Sequence, residues 1–80
     1  MDIDKDKIDE TVLALLYLTT FEDNYSVRAW KGHDWDSLNR LHEKGLIGDP
    51  KNKAKSVVFS EKGVKLSEEL FWKMFVKKTE

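Results

Sequence analysis

The residue types that metal or acid–base chemistry would use in this 80-residue chain are clustered between positions 33 and 43. They are His33, Asp34, Asp36, His42 and Glu43. A zinc site requires three or four ligands that converge on one point, whereas Asp36 and His42 would point to different sides of a helix. The cluster therefore favours neither a metal site nor an acid–base pair, and we expect the chain to bind no metal and no cofactor.

The serines, glycines and cysteines indicate no other chemistry. No serine belongs to a recognisable set of nucleophile, base and orienting residue; the serines considered are Ser26, Ser37, Ser56, Ser60 and Ser67. The four glycines are isolated, so the chain has no glycine-rich phosphate loop. It has no cysteine, which excludes disulfides and cysteine-based zinc sites. We therefore predict a non-enzymatic protein.

The composition indicates a single small globular domain over residues 1–80. The chain is 40% hydrophobic and 36% charged, too apolar for a disordered segment and too charged for a membrane protein. Its longest apolar run covers residues 12–18, whereas a bilayer span needs about 20 residues. The acidic first residues contain no apolar signal core. We expect a cytoplasmic protein with no membrane partner.

The first predicted helix, from Asp4 or Asp6 to Thr19, is apolar on nearly every side of its second half. Its inner stripe has helical spacing and consists of Ile8, Val12, Leu15 and Leu16. Three further apolar residues, Leu13, Tyr17 and Leu18, fall outside this stripe. A helix of this kind is normally buried on several sides, either within its own domain or against another subunit.

The last predicted helix runs from about Glu61 to Val76, with Ser60 as its cap. Its broad inner face consists of Val64, Leu66, Leu70, Phe71, Met74 and Phe75, and Trp72 and Val76 lie beyond it. Surplus apolar surface marks interfaces, and a two-fold axis would bury both terminal helices at once. We predict a homodimer with an interface made of Leu13, Tyr17, Leu18, Trp72 and Val76; packing within the domain is the alternative.

The clearest predicted helix covers residues 34–44, with Asp34 or Asp36 as its cap. Its inward residues are Trp35, Leu38 and Leu41. Gly45 suits the left-handed position that ends a helix, and Leu46 then returns onto Leu41, as in a Schellman motif. A hairpin is predicted next, in which residues 46–47 pair with residues 56–59 across a basic loop.

Residues 20–34 have no helical pattern. The segment 21–25 is typical of a turn, and residues 26–30 can form a short extended piece.

The stretch from Leu38 to Gly63 resembles the second half of bacterial winged-helix domains. The residues that carry the resemblance are Leu38-Asn39-Arg40-Leu41-His42-Glu43-Lys44-Gly45-Leu46-Ile47 and Val57-Val58-Phe59-Ser60-Glu61-Lys62-Gly63. The resemblance covers about residues 35–70 and implies a small α+β winged-helix-like domain of three helices and a β-hairpin wing. Winged-helix DNA binders have one more helix before the recognition helix, and residues 22–33 have no pattern for it.

The whole chain also resembles a family of small bacterial proteins of unknown function. The shared segments are residues 12–19, 28–36, 41–47 and 53–58. This resemblance implies no activity, cofactor or catalytic residue.

Binding of duplex DNA is the alternative function. The helix at 34–44 would lie in the major groove and the basic loop at 48–55 would contact phosphates. The candidate contacts are Asn39, Arg40, Lys44, Lys51, Lys53 and Lys55. Two acids, Asp36 and Glu43, flank the same helix face, and the net charge of the chain is −1; both weaken attraction to phosphates.

The segment 28–35 mixes bases with aromatic residues and has two interpretations. Trp30 and Trp35 could stack on bases while Arg28 and Lys31 contact phosphates. Alternatively both tryptophans pack into the core, which is favoured because large aromatic residues dominate small cores.

On balance we predict a self-associating interaction module with an unidentified protein partner.

Overall fold

The structure, a computed structural model, describes residues 2–23 and 26–77. The elements follow in the order α1 (Lys5–Leu18), β1 (Thr20–Glu22), β2 (Val27–Trp30), α2 (Trp35–Glu43), β3 (Ser56–Val58) and α3 (Glu61–Phe75). The predicted α+β class with three helices is confirmed. The predicted turn at 21–25 includes Asn24 and Tyr25, which lie outside the described part.

The strands form one antiparallel sheet in the order β1-β2-β3. The extended piece predicted at residues 26–30 is its central strand, and β1 pairs with it as a hairpin. β3 pairs mainly with β2, whereas the predicted pairing of residues 46–47 with 56–59 is present as one bridge between Ile47 and Phe59. Strands, not a helix, therefore occupy the position where winged-helix DNA binders have their additional helix.

Each helix begins at a residue whose side chain accepts a hydrogen bond from the first turn. Asp4 caps α1 by accepting from the Lys7 amide at 3.0 Å, and Asp34 caps α2 by accepting from the Ser37 amide at 3.1 Å. Ser60 caps α3, as predicted. Since Asp4 and Asp34 are the caps, Asp6 and Asp36 are free for other contacts.

The predicted end of α2 is confirmed. Gly45 has a φ of +74°, which is the left-handed conformation that glycine adopts without strain. The Gly45 amide donates to the His42 carbonyl at 2.9 Å, and the Leu46 amide donates to the Leu41 carbonyl at 3.1 Å. These are the two hydrogen bonds of a Schellman motif, and they turn the chain back towards the core.

The hydrophobic core lies where α1 packs against α3, α2 and β2. Its buried members are Val12, Leu13, Ala14, Leu16, Ala29, Leu38, Leu41, Leu46, Ile47, Val57, Phe59 and Leu70. Three helix residues that were expected to face inward are exposed: Ile8 by 39%, Trp35 by 53% and Phe75 by 45%. The inward position expected for Ile8 is taken by its neighbour Asp9, which is 1% exposed. Within the described residues, no helix combines the length and the apolar character that a membrane crossing needs.

Candidate binding surfaces

Arg40, one of the residues of α2 predicted to contact DNA, is engaged within the protein. Its Nε and Nη2 donate to the two carboxylate oxygens of Asp9 at 2.7 and 2.8 Å. Its Nη2 also donates to the Ser37 hydroxyl at 3.3 Å. A bidentate pair of this geometry fixes the guanidinium in place, so Arg40 joins α2 to α1 rather than presenting a donor to DNA.

The environment of Asp9 keeps its carboxylate ionised. Burial by itself raises the pKa of Asp9, but hydrogen bonds from Arg40 and Ser37 and the charges of Arg40 and Lys44 outweigh it. The net result is a pKa below the ordinary value of an aspartate. Lys44, the second cation of this helix end, lies 3.5 Å from Asp6 and 3.7 Å from Asp9. Acids of α1 therefore neutralise both cations that α2 was predicted to offer.

The basic loop differs from α2 because its cations remain unneutralised. Lys51, Lys53 and Lys55 are exposed, and within residues 2–23 and 26–77 none of them forms an ion pair. The loop is held by Lys31, whose Nζ donates to the Pro50 carbonyl at 2.8 Å. It also donates to the Asn52 carbonyl at 3.0 Å and to the Asn52 side-chain oxygen at 3.1 Å. Asn39, the last predicted contact, is half-buried on α2.

The two tryptophans of the mixed segment 28–35 do not pack into the core, so the favoured interpretation of that segment was wrong. Trp30 and Trp35 are each 53% exposed. Trp30 lies beside the Phe21 ring, with 5.0 Å between ring centroids, and the Lys31 ammonium lies 5.8 Å from the centre of the Trp35 ring. The small residue Ala29, not a tryptophan, fills the core position of β2.

The predicted interface residues divide between core and surface. Leu13 is 1% exposed and belongs to the core, so it is not available to a partner; α3 and α2 together cover more of α1 than its sequence suggested. Leu18 and Trp72 are 64% and 58% exposed. Tyr17 is half-buried against Phe71, and Val76, also half-buried, ends α3 in an extended conformation.

The rings at the α1–α3 contact form a continuous series that leads from the core to the surface. Tyr17 lies 5.2 Å from Phe71, and Phe71 lies 5.7 Å from Phe75, between centroids. Phe75 is 45% exposed. We call Tyr17, Phe71, Trp72 and Phe75 the α3 aromatic patch. Phe75 was predicted to lie on the inner face of α3, so its place in this exposed patch was not predicted.

The residues that could do chemistry are dispersed or occupied. The His42 Nδ1 lies 3.1 Å from the Ile47 carbonyl oxygen, and burial lowers the pKa of His33. Within the described residues, no three histidines or acids come together as a metal site would require. Three hydroxyls have structural partners: Ser60 caps α3, Ser67 donates to the Val64 carbonyl, and Ser56 accepts from Arg28.

The structural role of Asp9 was not predicted, although its spacing from the buried residues of α1 indicates that it lies on the inner face of the helix. It precedes the buried Val12, Leu13 and Leu16 by three, four and seven positions, which is the spacing of one helix face. An acid at such a position must be paired when buried. The pattern thus predicts a buried cation partner, although it does not identify Arg40.

Residues 4–77 match the family described as "Domain of unknown function (DUF6429)". The chain is 53% identical over 77 residues to "Uncharacterized protein y4hR" of Sinorhizobium fredii (strain NBRC 101917 / NGR234), with 96% of this chain and 100% of that relative covered. No solved structure matches the chain, so the resemblance to winged-helix domains is not confirmed by one.

Proposed function

The chain belongs to the DUF6429 family of small bacterial proteins of unknown function, and we propose that it is a binding module that pairs with a second copy of itself. The pairing surface is the α3 aromatic patch. The module performs no reaction, and its role is to hold partners together. The exposed aromatic series on α3 is the observation that carries this proposal.

Two large aromatic side chains of the patch are exposed. Trp72 and Phe75 project from neighbouring positions and are 58% and 45% exposed. A large aromatic side chain buries about 150–250 Å² when it is fully covered, and removal of that area from water favours association. Contiguous apolar surface of this kind marks interaction sites, whereas a single exposed apolar residue requires no explanation.

A second copy suits this surface because α3 is electrically balanced. The helix carries three acids, Glu61, Glu68 and Glu69, and three bases, Lys62, Lys65 and Lys73. Two α3 helices related by a two-fold axis therefore carry no net charge against each other. In such an isologous contact each patch meets its own counterpart, and Trp72 of one copy can cover Phe75 of the other.

Binding of duplex DNA through α2 has weaker support. Arg40 is fixed by its pair with the buried Asp9, and Lys44 lies 3.5 Å from Asp6 and 3.7 Å from Asp9. Acids of α1 therefore lie beside the cations that α2 would bring to DNA, which weakens their attraction to phosphates. The loop lysines alone would supply attraction to phosphates without reading bases.

The test compares Trp72→Glu with Trp30→Glu by light scattering over a range of concentrations. The two tryptophans have similar exposure, 58% and 53%, but only Trp72 lies in the α3 aromatic patch. We expect Trp72→Glu to reduce the mass to one chain of 9.4 kDa, and Trp30→Glu to remain dimeric. Circular dichroism checks that both variants keep the helical content of the wild type.

Two results would contradict the proposal. One is a wild-type mass of a single chain up to about millimolar concentration, which corresponds to an association weaker than about −4 kcal/mol. The other is dissociation by Trp30→Glu with no effect of Trp72→Glu, which would move the interface to the sheet.

A further inference from the structure

The sheet has one face that belongs to the core and one that does not. Side chains alternate between faces along a strand, and residues paired across strands share a face. Ala29 and its partner Val57 are fully buried in the core. The opposite face consists of Phe21, Arg28, Trp30, Ser56 and Val58. We call this the outer sheet face, and none of its residues belongs to the hydrophobic core cluster.

The outer sheet face carries an exposed aromatic pair on neighbouring strands. Phe21 of β1 and Trp30 of β2 lie 5.0 Å apart between centroids at an interplanar angle of 32°. Phe21 supports one side of the indole, and Trp30 remains 53% exposed. An exposed aromatic ring fixed on a sheet provides a stacking surface for a planar group.

A cation is held beside this pair. Arg28 lies opposite Phe21 and two positions before Trp30 on the same face. Its Nε donates to the Ser56 hydroxyl at 2.8 Å and its Nη2 to the Ser56 carbonyl at 3.3 Å. These acceptors are uncharged, and no carboxylate pairs with Arg28 within residues 2–23 and 26–77. The guanidinium therefore keeps its charge in a fixed position.

The charge is positive at the end of the face where Trp30 and the basic loop lie, whereas Glu22 of β1 lies at the opposite end, beside Val27. The segments 27–33 and 48–58 contain five bases, Arg28, Lys31, Lys51, Lys53 and Lys55, and a single acid, Asp49. Lys31 and Lys55 extend the β2–β3 pairing, because the Lys31 amide donates to the Lys55 carbonyl at 3.1 Å. The C-terminal end of the basic loop, at Lys55, therefore lies beside the end of the strand that carries Trp30. This local excess contrasts with a net charge of −1 for the whole chain.

We propose that the outer sheet face binds single-stranded nucleic acid, with one base stacked on Trp30 and phosphates near Arg28 and the loop lysines. Exposed aromatic rings combined with a positive surface are the two features that single-strand binding requires. A second copy is disfavoured at this face because two positive surfaces repel each other. Duplex DNA is disfavoured because its bases are stacked within the helix and cannot reach an aromatic ring.

The strand length limits the site to a few nucleotides. β2 has four residues, which span about 13 Å at about 3.3 Å per residue. We therefore expect weak binding with little sequence preference, dominated by one or two stacked bases and a few phosphate contacts.

The experiment measures fluorescence polarisation of labelled oligo(dT) and oligo(U) of about ten nucleotides, within the usual size of a single-strand site. A duplex of the same length is the competing nucleic acid, and poly-glutamate is the competing polyanion. Titrations at about 50 mM and about 200 mM salt cover the range in which phosphate binding changes most. The proteins compared are the wild type, Trp30→Ala, Trp72→Ala and the triple variant Lys51→Gln/Lys53→Gln/Lys55→Gln.

Trp30→Ala should weaken binding about tenfold, because each stacked base contributes roughly a five- to hundredfold effect on alanine substitution. Trp72→Ala is the matched control, since its side chain has similar exposure off the face, and it should leave the affinity unchanged. The triple lysine variant should lower the logarithmic salt slope by about two units, at about 0.7 per phosphate contact on a single strand. A preference for oligo(dT) or oligo(U) assigns the natural ligand to DNA or RNA.

Three results would overturn the proposal. The first is the absence of binding to either oligonucleotide at about 100 µM protein and low salt, the weak end of non-specific binding. The second is equal weakening by Trp30→Ala and Trp72→Ala. The third is equally tight binding of the duplex or of poly-glutamate, which would mean attraction by charge without stacking. Circular dichroism of each variant separates loss of binding from loss of fold.

Discussion

At the scale of the residue, the carboxylate of Asp9 determines which cations this protein can offer to a partner. It accepts both hydrogen bonds of a bidentate pair with Arg40 and also lies near Lys44. Because α1 begins with acids and α2 ends with bases, these charges meet when the two helices pack. The cations of the outer sheet face and its loop form no ion pair within residues 2–23 and 26–77. Asp9 therefore gives Arg40 a structural role, whereas the cations of the outer sheet face and its loop remain available to a partner.

Asp9→Asn tests this role through pH. A pKa that lies below the ordinary 3.8 in the folded state contributes stability that is present above 3.8 and is lost as pH falls through the lowered pKa. We expect Asp9→Asn to lower the free energy of unfolding at pH 7 by about 2 kcal/mol, the scale of charge-assisted hydrogen bonds. The difference from the wild type should narrow below pH 3.8, because the wild-type carboxyl is then becoming neutral.

Urea unfolding at several pH values measures this difference. Asp6→Asn is the control: Asp6 also approaches Lys44, but its side chain is 86% exposed, and exposed pairs contribute little. Equal effects of the two substitutions at neutral pH would mean that burial of Asp9 has no energetic role.

Gly45→Ala tests the end of α2. A Cβ at this position would meet no atom within 4 Å, so any loss of stability comes from the backbone conformation alone. With φ at +74°, alanine should destabilise the fold by about 1 kcal/mol. Gly32→Ala is the matched control, because its Cβ also meets no atom within 4 Å and its φ is not in the left-handed range. A thermal midpoint of Gly45→Ala equal to that of Gly32→Ala would contradict the argument.

At the scale of the element, the features predicted correctly from the sequence are those that local residues determine. The Ser60 cap and the Gly45 stop depend on hydrogen bonds within a few positions along the chain, so their sequence signals are direct. Burial is different, because it depends on which elements meet. Ile8 was expected in the core and is exposed, since α1 turns Asp9 inward to meet Arg40; Trp35, at the start of α2, was also expected in the core and is exposed.

The pairing of the strands could not be predicted either, because it also depends on which elements meet. β1 and β3 have three residues each, too few for a pattern of alternation to appear in the sequence. The pairing of β3 with β2 rather than with residues 46–47 joins positions about thirty residues apart, and no turn signal encodes it. The sequence offered stacking by Trp30 as one of two interpretations of residues 28–35, but the position of Phe21 beside Trp30 depends on the pairing of β1 with β2 and could not be predicted.

The contact between α3 and the turn after α2 gives a prediction for this junction. A Cβ on Gly63 would overlap the carbonyl group of Leu46, and that carbonyl accepts from the Ser60 amide at 3.0 Å. Since backbone atoms cannot yield as a flexible side chain can, Gly63→Ala should cost about 3 kcal/mol or prevent folding. Ser60→Ala, which removes the cap and the hydrogen bond from the Ser60 hydroxyl to the Gly45 carbonyl at 2.7 Å, should cost about 1–2 kcal/mol.

The urea concentrations at the unfolding midpoints of Gly63→Ala and Ser60→Ala measure the two losses of stability. If Gly63→Ala were as stable as Ser60→Ala, the first turn of α3 would not lie against Leu46 as the structure has it.

At the scale of the whole molecule, the exposed aromatic residues define two separate surfaces with different charge. The α3 aromatic patch lies on a helix with equal numbers of acids and bases, and the outer sheet face lies among unneutralised cations. The first suits an apolar, self-complementary contact and the second suits an anionic partner. Because Trp72 and Trp30 belong to different surfaces, a change in one should leave the function of the other intact.

Association through α3 predicts that thermal stability depends on protein concentration. A dimer that forms only from folded chains stabilises them by mass action, so the unfolding midpoint of the wild type should rise with each tenfold increase in concentration. Trp72→Glu should abolish this dependence and give a constant midpoint, because a charge in the apolar contact prevents pairing. Trp30→Glu should retain the wild-type dependence, since Trp30 lies on the outer sheet face. Differential scanning calorimetry over a hundredfold range of concentration measures all three proteins, and a wild-type midpoint that does not move would rule out pairing through the α3 aromatic patch.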